Sequence, residues 1–358
     1  MQQVNECLTS ALRSVATAEL DASQFASLSE MQWQMLFAMA ARQGVLAVVY
    51  DVVSKLPKEQ QPPRKLKLQW ALSTESIERR YENQRNVAAF LADRFAEQGV
   101  RTLVLKGLAV SLYYPRVEHR ECGDLDCWLA DGYELGNQIC ERLGAQVSRD
   151  YYKDSTITFR GLMVENHRFC LPIRGSRKMK ALERHLQSIA VSGDTHFVSG
   201  TKLIAPSAQF NALFLTAHGL QHFLSEGIRL RHILDWALLL KAEQNNIDWT
   251  DLYKWTDRLK MTRFADALTA IAVEYLGVEI TNSAIHTTSP YAERILRDTL
   301  CNSDGVFNRN VSVWAKRLML VRNKLSSGWK YHKIYQKSAT LELIKSIFAF
   351  VIERNPKL

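Results

Sequence analysis

Strand-type patterning is confined to one stretch of this chain. Residues 99–170 carry short β-branched runs, while most other segments repeat their apolar residues at helical spacing. A sheet of so few strands has to bury its faces against helices, which argues against a sandwich or a barrel. Eight prolines and sixteen glycines in 358 residues are few, and suit long helices. With 47% hydrophobic and 23% charged residues, burial can offset chain entropy, so disorder and fibrous repeats are excluded. The expected fold class is α+β: a small mixed sheet flanked by N-terminal and C-terminal helical regions. The expected divisions are 1–98, 99–200 and 201–358.

The N-terminal region reads as helices. Trp33, Leu36, Phe37 and Ala40 share one face, a second helix covers about 45–56, and a third runs from about 65 to 99. A β-branched run, 100–105, then ends in Lys106-Gly107, and a helix over 108–114 stops before Pro115. A charged loop leads to residues 124–129, which alternate as a strand does, and to a helix over 133–143. Residues 156–159 and 162–169 read as a hairpin turning at Arg160-Gly161. No other part of the chain is expected to form sheet. Helices are expected over 211–223, 228–241, 249–259, 264–276 and 290–300, with a last one over 341–352 whose wide apolar face suits a membrane surface or, the preferred reading, docking on the helical body.

The longest apolar runs are far too short to span a bilayer, and the N-terminus lacks the regions of a signal peptide. A cytoplasmic protein is expected. Cys7, Cys122, Cys127, Cys140, Cys170 and Cys301 show neither a C-x-x-C pair nor zinc-finger spacing, as suits reduced, mostly buried thiols. The net charge of +9 is concentrated in one place. Residues 305–341 hold eight basic residues and no acid, interleaved with Trp314, Trp329, Tyr331 and Tyr335. Such a segment grips a polyanion through phosphates and stacking, or is a solvated face with aromatic anchors packed on the body. The second reading is preferred, because no nucleic-acid-binding signature accompanies the charge.

The chemistry has to be sought in the sheet. Asp124 and Asp126, two apart on a strand, point to one face, where their carboxylates repel unless a cation neutralises them. Paired Mg²⁺ (or Mn²⁺) ions carrying a nucleoside triphosphate are the usual reason to tolerate that. Glu165, on a later strand, is a candidate third carboxylate for metal, and His167 shares its face. Gly107, at the passage from strand to helix, lets backbone approach a phosphate. By this reasoning, removing one of the crowded carboxylates, Asp126, relieves repulsion in the metal-free protein.

The order of these pieces resembles the DNA polymerase beta superfamily of nucleotidyltransferases. More closely, it resembles a poorly characterised bacterial branch with a Lys-Gly turn followed by Arg-x-x-x-Asp-h-Asp, where h is apolar. The matching residues are Leu105-Lys106-Gly107, Arg120 to Asp126, and Val164-Glu165-Asn166-His167, with His218 and His222 on one later helix and Arg231 and Asp235 on the next. The Lys-Gly turn departs from the superfamily's Gly-Gly or Gly-Ser, and the interval to Asp124 is longer. The resemblance implies transfer of a nucleoside monophosphate from an NTP, ATP among the candidates, to a hydroxyl acceptor. Asp124, Asp126 and Glu165 would be both catalytic and metal-binding. Lys106, Gly107, Arg120, His167, His218, His222, Arg231 and Asp235 would bind nucleotide or acceptor. Alternatively, Arg120 forms a surface pair with Glu118 or Glu121, and the histidines join Arg231 and Asp235 in a buried network. The favoured acceptor is a small molecule or a protein, with RNA the other candidate. The rival reading is a catalytically vestigial helical protein that contacts a polyanion through segment 305–341.

Overall fold

Helices α1 (Gln2–Thr17), α2 (Glu30–Arg42) and α3 (Leu46–Val53) pack on one another before the chain enters the 33-residue α4 (Arg64–Ala96). The computed structural model describes residues 1–192, 196–301 and 327–342. Helix α2 begins at a reciprocal cap: Ser29 Oγ accepts from the Gln32 N–H, and Gln32 Oε1 accepts from the Ser29 N–H. Helix α4, about 50 Å long at 1.5 Å per residue, serves two cores. Its first half sets Leu66, Trp70 and Ile77 against α1–α3, and its second half sets Val87, Leu91 and Phe95 against the sheet.

The middle of the chain follows as β1 (Thr102–Val104), α5 (Leu108–Ser111), β2 (Leu125–Leu129), α6 (Tyr133–Arg142), β3 (Gln146–Ser148), β4 (Asp154–Phe159), β5 (Leu162–His167), α7 (Arg177–Ser192), β6 (His196–Phe197) and β7 (Leu203–Ala205). The seven strands form one mixed sheet in the order β3-β4-β5-β2-β1-β7-β6. Strand β2 runs parallel to β5 and antiparallel to β1, which in turn is parallel to β7. The β4–β5 hairpin turns at Arg160 and Gly161, both at positive φ, as a two-residue loop requires. Strands β6 and β7 extend the sheet beyond residue 170, correcting the expectation that it ends there. Strands of two and three residues show no readable period, and β7 takes its register from β1.

The sheet's two faces meet different partners. Val104, Leu125, Cys127, Leu129 and Val164 share a core with α6 and the end of α4. Leu103, Leu105, Trp128 and Ile204 belong to the larger core, built by α1–α3, α8 (Ala208–Ser225), α9 (Leu230–Glu243), α10 (Trp249–Leu259), α11 (Thr262–Glu274) and α12 (Ala292–Cys301). Both helical flanks therefore bury residues in one core, with Leu8, Leu36 and Val49 joined to Phe214, Trp236 and Phe264.

Most of the basic segment and nearly all of the expected last helix lie outside the described residues. The described part, 327–341, is anchored by its aromatic residues. Trp329 packs edge-on against Phe223, and the Tyr331 hydroxyl donates to the Leu224 carbonyl. Lys330 is buried, with Nζ 2.6 Å from Asp298 and over the Phe223 ring, so it is not displayed to solvent. Among the described residues no helix is long and apolar enough to cross a membrane. The six cysteines are free, and all but Cys301 are buried. Burial pushes the Cys122 thiol up despite Arg120 beside it, and raises Cys127 as well.

One buried contact ties the loop before Asp124 to the helices. His119 has Nδ1 2.7 Å from Asp51 on α3 and Nε2 2.7 Å from Glu78 on α4. Arg116 joins them, 2.8 Å from Glu78 and 2.9 Å from Glu118, so these acids are matched by cations. Burial opposes charge on His119, yet hydrogen bonds to Asp51 and Glu78 raise its pKa above the ordinary 6.5. A raised folded pKa means that the stabilisation is complete below the unfolded value and is lost as pH rises through the folded one. The stability advantage of wild type over His119→Gln in urea unfolding should therefore be largest near about pH 5.5 and shrink towards about pH 9. An advantage that grows with pH would contradict this pairing.

Candidate active site

Strand register brings the acidic residues together. Asp126 pairs with Glu165 across β2 and β5, and the period of two puts Asp124 and His167 on the same face. That face is the one turned towards the helical core, so Asp126 and His167 are each only 2% exposed, while Asp124, Glu165 and Lys106 are half-buried. Lys106 reaches it from the end of β1, its Nζ 3.0 Å from Asp126 Oδ1. His167 Nε2 lies 3.1 Å from the same oxygen and 3.4 Å from Glu165 Oε2.

The two aspartates sit in opposite electrostatic situations. Burial alone would raise Asp126, but Lys106 and His167 hold its carboxyl well below the usual range. Asp124 is shifted up, by burial and by Asp126 beside it, with Lys106 acting the other way. Repulsion within the pair thus falls on Asp124, which corrects the expectation that neutralising Asp126 gives relief. Burial lowers the pKa of Lys106 less than Asp126 and Asp124 raise it, so the ammonium keeps its charge.

Lys106 also links the acids to helix α8. Its Nζ is 3.3 Å from His218 Nε2, which is 3.2 Å from His222 Nε2. His222 Nδ1 faces Glu226. An ammonium only donates, so His218 Nε2 bears the lone pair in its contact with Lys106. Burial and the nearby Lys106 charge push His218 well below the ordinary histidine range, in keeping with a neutral acceptor ring. The result is one hydrogen-bonded path, Asp126–Lys106–His218–His222–Glu226, from the buried cluster to a half-exposed rim.

Gly107 has φ +56° and ψ −114°, a backbone that residues with a side chain avoid. The helix behind it, α5, is a single turn rather than the expected 108–114, so aligned peptide dipoles add little there and Lys106 is the nearby positive charge.

Three candidates are not brought into the acidic cluster. Arg120 is 5% exposed and forms a bidentate pair with Asp235 on α9, at 2.9 and 2.8 Å, where the Tyr114 hydroxyl also donates. It contacts neither Glu118 nor Glu121 in the way a surface pair would. Arg231 donates to the Glu121 carbonyl at 2.6 Å. These three fasten the loop that delivers Asp124, as do residues that sequence reasoning did not single out. The Leu46 N–H donates to Glu121 Oε1, and Gln84 Nε2 donates to the Gly123 carbonyl. His232, likewise not singled out, is half-buried, with its ring 5.5 Å from that of His222. Nothing in the local sequence marks the contacts that fasten this loop, because their partners are 39 to 115 positions apart.

The cluster fits a cation. Asp126 Oδ2 is buried and has no hydrogen-bond partner among the described residues. Asp126, Glu165 and His167 each offer a ligand atom, all within 4.8 Å of one another. An unpaired buried carboxylate oxygen is costly unless a positive charge meets it.

An acidic pair and a later acid thus lie on neighbouring strands of a mixed sheet, with a Lys-Gly turn at the end of the strand beside them. The chain belongs to the family described as "uncharacterised nucleotidyltransferase", whose sequence profile matches residues 29–277. That span runs from the cap of α2 past α11 and contains every candidate site residue. No match was found among curated proteins or among solved structures. Membership of the family carries a general role in nucleotidyl transfer, with an NTP as substrate.

Proposed function

We propose that this chain moves a nucleoside monophosphate from an NTP to a hydroxyl acceptor at Asp124, Asp126 and Glu165. The observation that carries this reading is the buried, unpartnered Asp126 Oδ2 beside Glu165. Two divalent ions, Mg²⁺ or Mn²⁺, would be held by the three carboxylates, and when bound would supply charge neutralisation at the phosphates and acidify the acceptor hydroxyl. Lys106 meets the negative charge of the phosphates, and Gly107 lets them approach the backbone. The acceptor oxygen bonds to the α-phosphorus, and the bond to the bridging oxygen breaks as pyrophosphate leaves. Glu165 takes the acceptor proton or orients the hydroxyl. The His218–His222–Glu226 side lines the acceptor, while Arg120, Arg231 and Asp235 act by positioning the loop before Asp124. Packing of Trp329, Lys330 and Tyr331 onto the body supports a small-molecule or protein acceptor over RNA.

Incubation with α-labelled NTPs, Mg²⁺ or Mn²⁺, and separate metabolite, protein and RNA pools tests this. Label should enter one non-RNA pool, none should enter from γ-labelled NTP, and Glu165→Gln should reduce the transfer by at least about 100-fold. Transfer of the γ-label, or label found only in RNA, would contradict the reading.

A further inference from the structure

The strand that carries Glu165 also carries a nitrogen donor. We propose that His167 Nε2 is itself a metal ligand, which makes this a mixed oxygen–nitrogen centre with a preference for Mn²⁺ over Mg²⁺. The inference rests on the reading of Asp124, Asp126 and Glu165 as metal-binding and adds a nitrogen ligand to those three carboxylates.

Four observations support it. His167 is 2% exposed, so its ring is not a solvent-facing strand residue. Its Nε2 stands 3.1 Å from Asp126 Oδ1 and 3.4 Å from Glu165 Oε2. Two ligand atoms at right angles, each about 2.1–2.2 Å from an octahedral ion, are themselves about 3 Å apart. The 3.4 Å between Nε2 and Glu165 Oε2 is close to what one shared ion needs, and Asp126 brings a ligand atom within 4.8 Å of both. The other ring nitrogen, Nδ1, is 3.2 Å from the Phe169 carbonyl oxygen, which can only accept. The Nδ1–H is thereby committed to backbone, the contact that orients a histidine ligand and turns Nε2 towards an ion. Finally, the register Asp126↔Glu165 and Trp128↔His167 fixes all three donors from two paired strands, so no loop has to rearrange.

The nitrogen donor bears on which ion is held. Mg²⁺ is satisfied by oxygen and water and gains little from imidazole, whereas a nitrogen donor beside carboxylates suits first-row transition ions, of which Mn²⁺ is the one that also keeps the oxygen-rich coordination of Mg²⁺. Lys106 occupies Asp126 Oδ1, which leaves Oδ2 as the oxygen free to face an ion.

Mn²⁺ bound to the full chain, with a non-hydrolysable NTP analogue present, can be read by pulsed electron paramagnetic resonance. Wild type should show ¹⁴N modulation from imidazole. His167→Asn should lose it and bind Mn²⁺ about tenfold or more weakly, while Mg²⁺ affinity moves far less. Mn²⁺ that binds through Asp126 and Glu165 without nitrogen modulation, or with modulation that survives in His167→Asn, overturns the inference and leaves the proposed function standing. Binding that is undetectable, or identical in wild type and Asp126→Asn, overturns both. If the His167→Asn chain does not fold, wild type labelled with ¹⁵N-histidine decides: a changed modulation supports the ligand and an unchanged one overturns it.

Discussion

Asp126→Asn is expected to lose nucleotidyl transfer by at least about a thousandfold, and to be less stable than wild type even with no metal present. The first effect follows from the proposed role of the carboxylate. The second comes from the contacts it already makes. Asp126 Oδ1 receives both Lys106 and His167, and an amide in its place leaves the Lys106 ammonium without its nearest counter-charge and weakens the contact to His167. Losing a charge-assisted hydrogen bond costs about 1.5–3 kcal/mol, so a loss of roughly that size is expected, with the 22% exposure of Lys106 moderating it. Asp124→Asn should behave differently. Its carboxyl is penalised by burial and by Asp126, so neutralising it should leave metal-free stability equal to wild type or higher, while activity still falls. Urea unfolding of the three proteins in chelator, alongside label transfer in Mn²⁺, separates the outcomes. If both variants lost equal stability, the unequal roles assigned to the two aspartates would be wrong.

Arg120→Ala should cost more stability than any other single change considered, about 3–5 kcal/mol, because it strands a buried carboxylate. Asp235 has lost water on every side and is held by Arg120 through two parallel bonds and by Tyr114 through a third. Poor soluble expression or a collapse of the urea midpoint is the expected observation. Replacing both partners by apolar residues, Arg120→Met with Asp235→Leu, should recover much of that loss, since no charge is left unpaired. The double variant also separates two roles for Arg120. A positioning residue leaves NTP affinity within a fewfold once the fold is restored. Near-complete loss of NTP binding by a well-folded double variant would mean that the guanidinium meets phosphate after all.

The sequence was most informative where function and local pattern coincide. The Asp124-x-Asp126 spacing, the Arg160-Gly161 turn and the Glu165-x-His167 alternation are all carried by neighbouring residues, and a period of two states which face they share. The same property explains what was missed. Strands β6 and β7 are too short for periodicity, and Arg120 declares nothing about Asp235, a residue 115 positions later. The one-turn length of α5 was also not legible, because Leu108 to Tyr114 has helical spacing throughout. The packing of Lys330 was hidden within a run of cations, since its partner Asp298 lies on α12.

Helix α4 has a mechanical consequence. It is a single continuous rod whose two ends belong to different cores, with Trp70 in one and Leu91 and Phe95 in the other. A rod of this kind cannot unwind at one end without fraying the purchase of the other, so opening events in the helical body and in the sheet should be linked. Amide protons on the α4 residues between Ile77 and Val87, at the crossing point, should exchange at the rate of global unfolding rather than with either half. A protease cut in that stretch would release both ends together, and excising residues 99–200 would strip the sheet of the face that Val87, Leu91 and Phe95 cover.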